Sequence, residues 1–203
     1  GIAFSTVPLL HWLPQYFDEV KGVPLKKANV MIGATLILPG IIGTLLGGWL
    51  GDRLSKRIPG GYLIVAAAGL LGGVLFLRLA IAASAGWIYL PALFFGVLCF
   101  MACTPTLNAT IANISAPNAR AMAYATVIFC MHALGDTASP PLFGAIIERG
   151  DLYTAFLWMP MPLVLAAVAC ILGVLTIRTD MARTEARVTQ LIRRHTDPPR
   201  SRS

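Results

Sequence analysis

The chain has 203 residues, of which 57% are hydrophobic and 12% charged. A soluble domain of this length carries about a quarter of its residues as charges, so most of this sequence is solvated by lipid. A net charge of +7 in a soluble protein would suggest nucleic acid. Here the basic residues sit in loops and a tail, which fits a membrane surface instead and leaves no nucleic-acid partner expected.

A spanning helix needs about 20 mostly apolar residues. Six stretches qualify in chain order: 1–17, 29–50, 62–83, 87–111, 122–147 and 152–177. The expected fold is therefore all-α and membrane-embedded, a six-helix bundle over 1–177. A polar tail over 178–203, ending "DPPRSRS", has little apolar periodicity and reads as a disordered, basic cytoplasmic segment. The first stretch opens at Gly1 inside an apolar run, with no Met and no charged leader. No signal peptide is visible, and a fragment of a longer protein is expected.

Orientation follows from Lys and Arg. One side holds Arg53, Lys56, Arg57, Arg120 and the seven tail arginines; the other holds Lys21, Lys26, Lys27 and Arg149. Eleven basic residues against four put both ends of the segment in the cytoplasm of a plasma (inner) membrane protein. Trp12, Tyr16 and Phe17 close the first span and Trp87 and Tyr89 open the fourth, all on the outer side, as an aromatic belt would. Prolines recur within spans, where they either kink helices around a cavity or are simply tolerated.

The second span ends "GTLLGGWLGDRLSKR", residues 43–57. Gly43, Gly47 and Gly51 form one smooth face that lets another backbone approach. Asp52, Arg53, Lys56 and Arg57 then crowd a short turn, where the acid can pair with its basic neighbours or face a helix N-terminus. This loop resembles that of the major facilitator superfamily, which runs Gly, three residues, Asp, a basic residue, one residue, Gly, one residue, then a basic residue. Gly48, Asp52, Arg53, Lys56 and Arg57 lie on that motif, and Ser55 stands where glycine is usual. The resemblance implies the C-terminal six-helix half of a twelve-span transporter, with the N-terminal half as its partner. The helix that packs on Gly43, Gly47 and Asp52 would then belong to that other half.

In the fifth span, "MHALGDTASPP" sets His132 and Asp136 one turn apart on one face, near mid-membrane. A charged aspartate there costs about 2.5–3.5 kcal/mol on insertion scales, so it faces a wet cavity or a partner, or is neutral. The two side chains can hydrogen-bond and hold a proton or grip a polar headgroup. Alternatively, Asp136 caps the segment broken by Pro140 while His132 bonds a backbone carbonyl. Arg120, His132, Gly135, Asp136, Ser139 and Pro140 also resemble the equivalent span of the Spinster-like branch. That similarity implies an amphipathic, lipid-like solute moved with proton coupling, with the coupling acids in the other half.

Thr104 and Asn108 share one face of the fourth span, and Thr106, Thr110 and Asn113 another, as cavity lining or as polar glue between helices. Arg78 is expected to snorkel to the headgroups, with pairing to Asp136 as the alternative. Cys99, Cys103, Cys130 and Cys170 lie in apolar runs with no metal-ligating companions, so no metal or cofactor is expected. Three functions fit these features. The first is half of a secondary transporter for an amphipathic solute, with a small organic anion or drug-like solute as its variant. The second is an intramembrane enzyme, for which no nucleophile elbow or second dyad aspartate is present. The third is a six-span protein serving a membrane complex.

Overall fold

The structure, a computed structural model, describes residues 2–177; the expected tail over 178–203 lies outside the described residues. The chain forms α1 (Ile2–Glu19), α2 (Leu25–Ser55), α3 (Gly61–Ala82), α4 (Gly86–Ile114) and α5 (Arg120–Cys130). A π-helical turn, Met131–Asp136, follows, then α6 (Ser139–Arg149), α7 (Leu152–Trp158) and a last helix, α8, over 161–177. Among the described residues, four segments are long and apolar enough to cross a membrane: Leu25–Ser55, Gly61–Ala82, Gly86–Ile114 and Leu152–Ile177.

The apolar surface of these helices faces outward to a degree that water would not tolerate. Trp49 is 58% exposed, Leu75 67% and Leu175 76%. In a bilayer such side chains are solvated, and association rests on close packing of small residues. α2 and α4 show this. A Cβ added at Gly43 would lie 2.4 Å from the Leu98 carbonyl oxygen, at Gly47 2.2 Å from that of Ala102, and at Gly51 2.8 Å from Thr106. The glycine face therefore meets α4 of the same chain, which corrects the expectation of a mate from outside it. Gly69 on α3 approaches α4 in the same way, its added Cβ lying 2.6 Å from the Cys99 carbonyl oxygen.

α1 is held by aromatic packing. Tyr16 stacks at 4.5 Å on Phe156 and Trp12 at 5.2 Å on Phe143, while Phe17 meets Tyr89 edge-on at 5.1 Å. Tyr16, Phe17 and Tyr89 are buried, so they form core and not the interfacial belt that their positions suggested. Trp87, 80% exposed, fits that belt.

Two expected spans are interrupted. The fifth carries the π-helical turn and a break at 137–138 before Pro140 and Pro141 restart the helix; the sixth breaks at 159–160, where Pro160 cannot donate to the ladder. The second break explains Arg78. A helix end leaves its last carbonyls without partners, and Arg78 Nη1 donates to that of Leu157, at 3.4 Å, in the last turn of α7. Arg78 thus bonds a neighbouring helix, contrary to the expectation of snorkelling.

Candidate functional site

His132 and Asp136 are brought together. His132 Nδ1 lies 2.5 Å from Asp136 Oδ2, so a ring N–H on that nitrogen donates to the carboxylate. Among the described residues this is the only ion pair. Its side chains remain 61% and 32% exposed, which leaves the pair accessible to a solute. The alternatives of an Asp136 cap and a carbonyl-bonded His132 ring are not what the geometry holds.

The pair stands on the π-helical turn. The His132 carbonyl accepts from Thr137 N, five residues on, at 3.0 Å, and also from Thr137 Oγ1 at 3.0 Å. A π turn inside an α-helix is a costly local choice and recurs at functional sites. Gly135 is buried on the turn, and α1 packs against it. One turn later, Ser139 is fully buried with its Oγ unpartnered among the described residues.

The fourth span divides as its two faces suggest, but with different roles. Thr104 and Asn108 are exposed. Thr106 and Thr110 are buried and donate to carbonyls of their own helix, Thr106 to Cys103 at 2.8 Å and Thr110 to Thr106 at 2.9 Å. Thr106 and Thr110 are therefore self-satisfied packing surface, while Asn113, at the end of the same face, is exposed. Tyr124 Oη on α5 donates to the Asn108 carbonyl at 2.7 Å, tying the exposed face of α4 to the rod that carries His132 and Asp136. Tyr124 was not singled out in the sequence; its place one turn after Arg120 at the entry of that rod was the available signal.

The loop after α2 is organised differently from its charge pattern. Asp52 pairs with none of Arg53, Lys56 or Arg57. Instead Tyr62 Oη, at the start of α3, donates to Asp52 Oδ1 at 2.7 Å, and Ser55 Oγ donates to the Asp52 carbonyl at 3.1 Å. Arg53 stacks over Trp49 at 5.4 Å, while Lys56 and Arg57 are exposed. Gly48 has room for a side chain, its added Cβ 3.9 Å from Pro105 in ordinary van der Waals contact. The motif residues thus share a neighbourhood with Asp52 anchored by a tyrosine. Counting charges alone could not find Tyr62.

On the opposite end of the helices, Lys21 Nζ donates to the carbonyls of Ile81, at 2.9 Å, and Ala83, and lies over the rings of Tyr16 and Tyr89. It closes the C-terminus of α3 from the α1–α2 loop. The four cysteines are free, and no group of three or more metal-ligating side chains occurs among the described residues.

Comparison with known proteins agrees with this architecture. A family model described as Major Facilitator Superfamily matches residues 1–140. The Arabidopsis thaliana protein named probable sphingolipid transporter spinster homolog 3 is 28% identical over 82% of this chain and 33% of its own length. Protein spinster homolog 1 of Bos taurus is 32% identical over 73% of this chain and 31% of its own length. Protein spinster homolog 3 of Homo sapiens is 30% identical over 72% of this chain and 31% of its own length. The chain thus spans about a third of the length of these relatives. Among solved structures, a bacterial homolog of the human lysosomal transporter Spinster, in an inward-facing and unoccupied conformation, superposes with a TM-score of 0.73. It is 18% identical, and the match covers 88% of this chain and 46% of that one.

Proposed function

This chain belongs to the Major Facilitator Superfamily, a family of multi-pass membrane proteins, and from that premise we propose that it forms the C-terminal six-span half of a secondary transporter. The loop motif between α2 and α3 and the share of the solved homolog that is matched both support the half-molecule reading. In it α1, the α5–α6 rod and the α7–α8 rod complete the six spans with α2, α3 and α4. Membership in this family favours transport over the intramembrane enzyme.

The solute is an amphipath with a polar or charged head, in keeping with the sphingolipid named for one relative. The single observation that carries this reading is the His132–Asp136 pair, mounted on a π-helical turn within an apolar segment and still exposed. A protonated His132 on an ionised Asp136 is a neutral, dipolar couple. It can meet a phosphate or ammonium head, and adding a proton at Asp136 or removing one from His132 changes its charge by one. Proton coupling follows if a head and a proton compete for the couple. The N-terminal half supplies the opposite wall, and both ends of the present segment face the cytoplasm of a plasma (inner) membrane.

Uptake of a labelled lysolipid by the full-length protein in proteoliposomes, under an imposed pH gradient, tests this. Asp136→Asn and His132→Ala are expected to lower the rate at least tenfold while purified yield stays near wild type. Wild-type rates in both variants would remove the pair from the mechanism.

A further inference from the structure

α2 and α4 touch closely only along half their length. Beyond Pro39, toward the α1–α2 loop, the glycine seam ends and the two helices part. Between them opens a groove of about 490 Å³ lined by Met31, Ala34, Thr35, Leu90, Phe94 and Phe95. Its lining is apolar in effect: Thr35 Oγ1 is spent on the Met31 carbonyl at 2.6 Å. Its aromatic wall is fixed, since Phe95 packs against Phe76 of α3 and against Phe94, both at 5.6 Å.

Lys27 lies four residues before Met31, seven before Ala34 and eight before Thr35, so it heads the same helical stripe. Lys26 is beside it. Both are exposed in the first turn of α2, and no salt bridge involves either among the described residues. Basic side chains are disfavoured at a helix N-terminus by the macrodipole, so two unpaired lysines there call for an anion. An apolar slot roofed by two cations at the headgroup level has the chemistry of an anionic amphipath. The groove is open along its outer side, facing the space where acyl chains of a bilayer would lie. A single acyl chain fits.

We propose that the α2–α4 groove binds one resident anionic phospholipid of the leaflet on the side of the α1–α2 loop, its chain between Met31 and Phe95 and its phosphate on Lys26 and Lys27. The site is separate from His132 and Asp136 and requires only that α2 and α4 cross a bilayer. It does not require that the solute carry any particular head.

The test is native mass spectrometry of the purified full-length protein, delipidated and offered an equimolar mixture of phosphatidylglycerol and phosphatidylcholine with identical chains. Each lysine near a phosphate is worth about fivefold in affinity, so wild type is expected to retain phosphatidylglycerol on the order of tenfold over phosphatidylcholine. The double variant Lys26→Gln, Lys27→Gln is expected to bring the ratio near one with total lipid little changed. Ala34→Trp, which fills the slot from an exposed position, is expected to cut total lipid several-fold; Ala34→Leu gives a smaller cut should the tryptophan variant lose its single gel-filtration peak. Equal retention of the two lipids by wild type would overturn the proposal, as would a ratio unmoved by the lysine change, or occupancy unmoved by both Ala34 variants.

Discussion

The seam between α2 and α4 and the α5–α6 rod are built on opposite principles. In the seam, backbone meets backbone through Gly43, Gly47 and Gly51, and no side chain has to choose a rotamer. In the rod, α5 buries no residue, the ladder slips to a π turn, and one side-chain bond, from Tyr124, links it to α4 among the described residues. The seam is where stability resides, and the rod is where polar groups are left free to act. Segments that take part in function are drawn from the less stable end of a structure, and the exposed pair stands there.

Five changes break or sharpen that contrast. Gly47→Val is expected to have the largest effect. Its Cβ would sit 2.2 Å from the Ala102 carbonyl oxygen, a backbone atom that cannot turn aside, so the cost exceeds the roughly 1–3 kcal/mol of ordinary overpacking and no monodisperse protein should be recovered. The adjacent Gly48→Ala, 3.9 Å from its nearest neighbour, should be neutral or stabilising by up to about 1 kcal/mol, read as an unchanged or raised Tm. Lys21→Met removes the donor that closes α3. A charged hydrogen bond of this kind contributes about 1.5–3 kcal/mol, discounted to about 1–2 here for partial exposure and because Tyr16 Oη still donates to the Ile81 carbonyl. The Tm should fall by a few degrees.

Tyr124→Phe should cost about 0.5–1.5 kcal/mol, and its signature is local. Amides over 120–130 are expected to exchange faster, with those of the seam unchanged; equal acceleration in both would show that the two regions open as one unit. A small effect is also expected at Asp151, the N-cap of α7 just after the rod. Hydrogen bonds with Thr154, whose N–H donates to Asp151 Oδ1 at 2.7 Å, hold the Asp151 carboxyl below the usual carboxylate range. A folded pKa below the unfolded one gives stability that is present above the unfolded value and lost as pH falls through the folded value. The Tm difference between wild type and Asp151→Ala should therefore be small but measurable at neutral pH. It should close in acid once the carboxyl is protonated.

The sequence made the lipid-facing helices legible because an apolar run has a length and a composition. α3 and α4 begin within one residue of the expected positions. His132 and Asp136 were legible as a pair because spacing of four fixes a shared face in any helix. The π turn beneath them was not, since a one-residue slip of the ladder changes no composition. The glycine face was plain, but its mate was not: small residues announce close approach without naming the partner, and α4 proved to be that partner. Asp52 invited a search among its basic neighbours, yet a hydroxyl ten residues on took the bond. Arg78 looked like an interfacial cation because the broken end of α7, with its unspent carbonyls, lies 79 residues away in the chain.

The π turn at Met131–Asp136 also means that this rod contains one residue more than a regular α-helix of the same reach. Removing a single amino acid between 131 and 136 would then let the ladder close as an ordinary helix with little loss of length, where the same deletion in α3 would turn every downstream side chain by about 100°. In a collection of single-residue deletions, this stretch is where chains that still insert and fold should cluster, and those survivors should lack the geometry that sets His132 against Asp136.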